Sequence, residues 1–192
     1  MTGQVTTGAP TKMRILTAMT SIQRHGAAAL VATLIVAGAA VGTAQAQATN
    51  LGTFNAWTAW QGTDANGPIC YISSQPSDSE PKNVNRDPIH FLIIHRKGLG
   101  TKNEVQTLIG YPFNSSSPNA TATVDGKAYP MVTEGAAAWL ASTGDESGFV
   151  AALKAGTELV VRGTSQRGTN TTDIYSLRGV TAAMTEIDKA CA

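Results

Sequence analysis

The sequence lacks most of the features that mark a membrane protein or an enzyme. It has no internal repeat and no long apolar run beyond residue 42. A membrane-spanning helix needs about 20 apolar residues, so the chain beyond that run is expected to be soluble, with no transmembrane segment. No G-x-S-x-G motif is present, and no histidine stands in a turn beside an acidic residue. The sequence therefore predicts no catalytic residue and no enzyme.

The one long apolar run is typical of a secretory signal peptide. Residues 26–42 (GAAALVATLIVAGAAVG) carry no charge, follow three basic residues and precede small residues at alternate positions in 44–48. A basic segment, a short apolar run and an A-x-A site are the parts of a cleavable signal. We expect residues 1–46 to form a Sec-type signal peptide, with cleavage after Ala46 or Ala48 and export to the periplasm or beyond it. The alternative is an uncleaved membrane anchor, for which the run is short and mostly Ala and Gly.

Removal of this segment changes the charge balance of the chain. Three of the 14 basic residues precede residue 46, which leaves 11 of them against 13 acidic residues in a mature chain of 146 residues, a net charge of −2. Nucleic acids and anionic membranes select proteins with a basic excess, so neither is expected as a partner. The length is that of one domain, and residues 47–192 are predicted to form it.

The mature chain alternates short aromatic or β-branched runs with turn residues, which predicts a mainly β fold. Asp125-Gly126 is typical of a tight hairpin turn, and IHFLIIHR (89–96) is the most apolar segment, expected to be a central strand. We expect an antiparallel β-sandwich or a barrel-like domain. The other predicted strands are 54–61, 68–74, 104–111, 121–124, 127–132, 157–164 and 173–179.

Two short helices are predicted, and the second one ends the chain. The first begins near Asp145 or Ser147 and stops at Gly156. The second runs from about Thr181 to Ala190. Four residues at helical spacing form its apolar stripe, so the last of them should face the core; they are Val180, Met184, Ile187 and Cys191.

A series of short motifs runs through the mature chain in a fixed order. They include WTAW (57–60), CY (70–71), GYPF (110–113), RGTSQRGT (162–169) and DIYSLRG (173–179). In these motifs and their order the chain resembles the alphaproteobacterial branch of the invasion-associated locus B family. Two positions depart from the family pattern, since Lys97 stands in place of proline and Ala136 in place of an acidic residue.

The resemblance implies a small exported β protein, mostly periplasmic, related to a virulence factor that helps some pathogens enter red cells. It implies no molecular activity, because a fold alone supplies no site. The leading hypothesis is a non-catalytic module, without a cofactor, that presents a rigid β surface to an unknown envelope or host component. The alternative is a binding protein or hydrolase for a small envelope-derived ligand, such as a glycan or a peptide. A concave polar pocket would favour this alternative.

Histidine and tryptophan pairs are the first residues to consider as a site. His90 and His95 lie five apart in one predicted strand, so they should face opposite sides of the sheet and cannot share a metal ion. One is expected to be half-buried and the other to lie at the surface. Trp57 and Trp60 also face opposite sides, so at least one of them should belong to the core rather than to an aromatic binding platform.

The loop SQRGTNTT holds a weak candidate for binding. Arg167 lies near its tip, where a guanidinium group could bind a carboxylate or a phosphate. The alternative is a solvated turn rich in Gly, Thr and Asn. If the flanking strands pair about the centre of this loop, Glu158 comes near Arg178.

Cys70 and Cys191 are the only two cysteines of the sequence. Export brings both into an oxidising compartment, where two cysteines of one chain usually pair. The bond would enclose nearly the whole domain and, on the chain-entropy model, stabilise it by up to about 5 kcal/mol. Two buried free thiols and an intermolecular disulfide are the alternatives.

Overall fold

The computed structural model describes residues 48–116 and 120–192, so the predicted signal peptide lies outside the described residues. Within the described part no helix has the length and apolar character needed to cross a membrane. The α-helices are α1 (Glu146–Ala155) and α2 (Val180–Ala190). The strands are β1 (Thr49–Phe54), β2 (Trp57–Asp64), β3 (Gly67–Ser74), β4 (Asp78–Glu80), β5 (His90–Arg96), β6 (Thr101–Leu108), β7 (Ala120–Val124), β8 (Lys127–Glu134), β9 (Ala137–Leu140), β10 (Glu158–Thr164) and β11 (Asn170–Ser176).

The eleven strands found in residues 48–116 and 120–192 belong to one antiparallel sheet. Their order is β1-β2-β3-β5-β6-β9-β8-β7-β10-β11-β4, which leaves β1 and β4 as edges. The indole Nε1 of Trp57 donates a hydrogen bond to the carbonyl oxygen of Ser176 over 2.9 Å. This bond joins β2 to the end of β11, which shows that the sheet curls. The sheet is not closed, because β1 and β4 do not pair with each other. The predicted mainly β antiparallel fold with a C-terminal helix is confirmed, and its barrel-like form stops short of closure.

The core lies on one face of the sheet and is covered by the two helices. Along β3 and β10 buried residues alternate with more exposed ones, as expected for strands with one covered face. Helix α1 places Phe149 and Leu153 in this core. Helix α2 buries the stripe that the sequence predicts, namely Val180, Met184 and Ile187 with Cys191 after them.

Three contacts attach the C-terminal segment to the sheet. Cys70 of β3 and Cys191 form a disulfide with their Cα atoms 5.9 Å apart. Nε2 of His95 lies 2.9 Å from Oδ1 of Asp188, and Nζ of Lys97 donates a hydrogen bond to the backbone oxygen of Ala192. Helix α2 is thus held by a covalent bond and by polar contacts at its last turn.

The structure corrects the prediction for the histidines of β5. His95 is buried, with an exposed fraction of 1%, and its Nδ1 accepts a hydrogen bond from the backbone N–H of Asn103. His90 is half-buried and pairs with Leu108. Neither imidazole is the surface residue that the sequence predicts. His95 is covered because Asp188 of α2 and the backbone of Asn103 lie against its ring.

Two strand predictions are also corrected. The predicted strand 54–61 is interrupted by a turn at Asn55, which has a φ of 53°, so that β1 and β2 form a hairpin. Glu158 pairs with Ser176 rather than lying near Arg178. The β10–β11 hairpin turns about Arg167, one residue before the centre assumed from the loop composition.

Candidate functional site

A cleft of 720 Å³ opens between three segments of the chain. One wall is the β4–β5 loop (83–87), and the other is the turn between β10 and β11 (165–169) together with Thr171 of β11. The segment that follows β6 (110–112) lies between them. Apart from Thr171, the lining residues lie in connections outside the regular strands, where binding residues are most often found.

The segment 110–112 joins the two walls through main-chain hydrogen bonds. The N–H of Asp87 donates to the carbonyl oxygen of Gly110 over 3.0 Å, and the N–H of Gln166 donates to that of Pro112 over 2.9 Å. Gly110 has a φ of 80°, and a Cβ atom there would lie 2.4 Å from the carbonyl oxygen of Asp87. Glycine is therefore required by both the conformation and the close approach.

A buried ion pair fixes the β4–β5 loop to the sheet. Nη1 and Nη2 of Arg86 donate to the two carboxylate oxygens of Asp173 over 2.7 and 2.6 Å. Nε and Nη2 also donate to the carbonyl oxygen of Ile109. The side chains of Arg86 and Asp173 are 6% and 0% exposed. These bonds use all but one of the guanidinium N–H groups, so the pair serves the structure of the cleft.

Tyr111 forms part of the cleft beside this ion pair. The guanidinium carbon of Arg86 lies 5.1 Å from the centre of its ring, a cation–π contact. The Tyr111 hydroxyl shares a 2.6 Å hydrogen bond with that of Thr171. Burial raises the pKa of Tyr111 above its ordinary value, so the phenol stays protonated and uncharged at neutral pH.

Unlike Arg86, Asp173 and Tyr111, the exposed polar side chains of the two walls make no hydrogen bonds within the described residues. Five such side chains line the cleft, and none of them forms a hydrogen bond or an ion pair with another described residue. They are Asn83, Asn85, Asp87, Gln166 and Arg167. Asp87 belongs to one wall and Arg167 to the other. The cleft thus combines one unpaired acidic group, one unpaired basic group and three amides. They surround a floor formed by Arg86, Asp173 and Tyr111, whose side chains are held by hydrogen bonds.

The structure brings one sequence candidate to this site and leaves the others elsewhere. Arg167 lines the cleft. Trp57 is buried in the core, whereas Trp60 is half-exposed and stacks on Tyr71 with ring centres 6.3 Å apart. Trp57 and Trp60 thus lie on opposite faces, as predicted, and outside the lining of the cleft.

Sequence reasoning missed the ion pair that organises the cleft. The signal was present in β11, where Thr171, Asp173 and Tyr175 occupy inward positions. A carboxylate at an inward position needs a partner, because an unpaired buried charge is costly. The sequence does not identify that partner, since Arg86 stands 87 positions earlier.

Comparison with known proteins identifies the family. A family model described as "Invasion associated locus B (IalB) protein" matches residues 57–188. No curated protein sequence matches the chain. Among solved structures, the crystal structure of invasion associated protein B from Bartonella henselae is similar, with 15% identity, coverage of 74% of this chain and 97% of that one, and a TM-score of 0.46. Because the family model matches well over half of its residues, the chain belongs to the invasion associated locus B family.

Proposed function

We propose that the chain is an exported, non-catalytic recognition module that binds an envelope or host component in the cleft. Export to the periplasm or beyond is supported by the predicted signal peptide. It is also supported by the disulfide between Cys70 and Cys191, a bond that persists in oxidising compartments. The domain then presents its cleft to other molecules outside the cytoplasm.

The observation that carries this proposal is that hydrogen bonds within the chain hold both walls of the cleft in place. The pair Arg86–Asp173 and the bonds of segment 110–112 fix both walls before any ligand arrives. Preorganised walls reduce the conformational entropy that binding would otherwise cost. The free polar side chains at the rim supply hydrogen-bond donors and acceptors.

The chemistry of the lining supports binding rather than catalysis. The described residues that line the cleft include no histidine and no cysteine. Asp173 is bonded to Arg86, and the hydroxyl groups of Tyr111 and Thr171 are bonded to each other. In the part of the chain that the structure describes, no hydrogen bond joins a carboxylate of the lining to a hydroxyl group of the lining, so no nucleophile is paired with a general base. A volume of 720 Å³ falls within the usual size of small-ligand sites, so a small envelope-derived ligand remains the second form of this proposal.

Photo-crosslinking in the cells that produce the protein tests the proposal. A photoreactive amino acid replaces Gln166 in the cleft or, as the matched control, Val132, which is 53% exposed on β8. We expect an adduct from position 166 that is absent from position 132 and weakened by Arg167→Ala. An adduct from position 132 alone, equal adducts from both positions, or none from either would contradict a role for the cleft.

A further inference from the structure

The wall formed by the β4–β5 loop has main-chain groups without partners. In the described part of the chain no hydrogen bond involves the N–H groups of Asn85 and Arg86 or the carbonyl groups of Val84, Asn85 and Arg86. Buried backbone groups are nearly always paired within a protein, whereas those of a surface loop are open to water or to a ligand. Here a short run of such groups belongs to residues that line the cleft, where they can pair with another main chain.

The charges of the cleft add a second, independent observation. The carboxylate of Asp87 and the guanidinium of Arg167 stand on different walls, and neither forms an ion pair within the described residues. The other charges near the floor, those of Arg86 and Asp173, neutralise each other. A ligand that matches the cleft therefore offers one positive and one negative group rather than a single excess of charge.

We infer that the ligand of the cleft is an extended peptide segment that carries an acidic and a basic side chain. This inference rests on the proposed function and names its ligand class. The peptide main chain pairs with the free groups at Asn85 in the manner of an added strand. Its acidic side chain binds Arg167, its basic side chain binds Asp87, and the amides of Asn83 and Gln166 contact its remaining polar groups.

A neutral glycan fits the same site less well. Its hydroxyl groups can bond to the amide side chains, but they leave Asp87 and Arg167 without counter-charges. A glycan also has no regular series of N–H and C=O groups to match those of Asn85 and Arg86. The peptide satisfies both sets of free groups at once, and for this reason it is preferred.

Fluorescence anisotropy with purified mature protein tests the inference. The probes are short labelled peptides that contain one Asp and one Lys at varied spacing. Three comparison probes are the same peptides with Asn and Gln at these positions, the same peptides N-methylated at alternate amides, and chitooligosaccharides. We expect the uncharged and the N-methylated peptides to bind about tenfold or more weakly than the charged ones, as for the loss of a charged or main-chain hydrogen bond.

Charge reversal in the cleft gives a readout that a general loss of folding cannot produce. Arg167→Glu should shift the preference to peptides with two Lys residues, and Asp87→Lys to peptides with two Asp residues. Arg162→Glu reverses an exposed charge of β10 that does not line the cleft and should leave the preference unchanged. An unchanged preference in both cleft variants would overturn the inference.

The two proposals fail in different experiments. Adducts from position 166 in cells, together with no peptide binding or with binding of chitooligosaccharides alone, would keep the recognition function and reject the peptide. Equal binding of N-methylated and unmodified peptides would also reject it. Peptide binding by the purified protein without adducts in cells would support the ligand class and reject the proposed role in the envelope.

Discussion

Arg86 and Asp173 are the residues on which the shape of the cleft most depends. Their side chains form a doubly hydrogen-bonded pair that is almost fully buried. Such a pair adds little stability compared with well-packed apolar residues, but the removal of one partner leaves a buried charge that nothing compensates. The contribution of the pair is thus mainly to fix where the β4–β5 loop lies.

We expect Asp173→Asn to lower the free energy of unfolding by about 3 kcal/mol, as for a buried ion pair that loses one partner. Urea unfolding followed by circular dichroism measures the change. Lys189→Ala, which removes an exposed partner of Glu186, is the control and should change stability by less than about 1 kcal/mol. A double variant, Arg86→Met with Asp173→Leu, should be less unstable than Asp173→Asn, and the opposite order would contradict this explanation.

Asp125 gives a pH-dependent contribution at the β7–β8 turn. Its carboxylate accepts hydrogen bonds from the Thr157 hydroxyl and from the N–H groups of Thr157 and Glu158, and these bonds lower its pKa. The stabilisation is therefore complete above the pKa of the unfolded state, about 3.9, and is lost as the pH falls through the lower pKa of the folded state.

Asp125→Asn should accordingly lower the melting temperature at pH 7. The difference between variant and native protein should shrink as the pH falls below about 4, because the unfolded chain of the native protein then gains the Asp125 proton before the folded chain does. Asn tolerates the positive φ of this turn, so the hairpin is kept. Thermal melts at a series of pH values measure the effect, and a difference independent of pH would show that the charge is not its cause.

At the level of single residues the sequence predicts some of the site and misses the rest. Arg167 was identified because an arginine in a loop of small polar residues is a recognisable signal. Asp87 and the free backbone of the β4–β5 loop gave no such signal, because a polar loop with prolines has the same composition whether or not it forms a wall. Their place in the cleft depends on a hairpin about 80 residues later, which forms the opposite wall.

At the level of elements, the sequence predicts the strands that have strong local signals. It does not predict the strands that form only because neighbouring strands pair with them. The β7–β8 hairpin follows directly from Asp125-Gly126. Strand β4 has three residues and exists because it pairs with β11. Strand β9 (AAWL) has weak β propensity, and it becomes a strand because β6 and β8 lie on either side of it.

Gly110 connects the β6 strand with the loop that follows β4, and its replacement tests that connection. Gly110→Ala should destabilise the protein by about 1–2 kcal/mol through its positive φ and by about 1–3 kcal/mol through the contact with Asp87. Gly126 has a similar φ of 89° but no atom near its Cβ position, so Gly126→Ala shows the first effect alone.

The β4–β5 loop of the Gly110→Ala variant should also become accessible to trypsin. Cleavage after Lys82 and Arg86 under native conditions should be faster in Gly110→Ala than in Gly126→Ala, because only the former separates the loop from segment 110–112. Mass spectrometry of the fragments measures the rates. Equal rates of cleavage in the two variants would show that Gly110 does not hold the loop.

At the level of the whole molecule the strand order was the least predictable feature. It pairs β6 with β9, β7 with β10, and β4 with β11, and the two strands of each pair do not follow one another in the chain. Local patterns define strands but not their neighbours, so the sequence left open whether the sheet closes. The family resemblance supplied the general fold, but neither resemblance nor pattern supplied a molecular activity.

The disulfide acts on this same scale, because its two cysteines are 121 positions apart. The double variant Cys70→Ala with Cys191→Ala should lose about 3–5 kcal/mol of stability, mainly through a less restricted unfolded chain. Urea unfolding measures the loss, and native protein treated with reductant serves as a comparison. Thiol titration of the denatured, unreduced native protein should find no free thiol. Two titratable thiols, or a disulfide-linked dimer on non-reducing gels, would contradict the intramolecular bond.

An open sheet has a further consequence, since each edge strand is a template on which another chain can add itself and begin a fibre. Both edges of this sheet obstruct such growth. Strand β4 is only three residues long, carries Asp78 and Glu80, and is followed by Pro81. Strand β1 is interrupted by a register shift between Asn50 and Gly52. The protein can therefore keep its curled sheet open without inviting edge-to-edge aggregation.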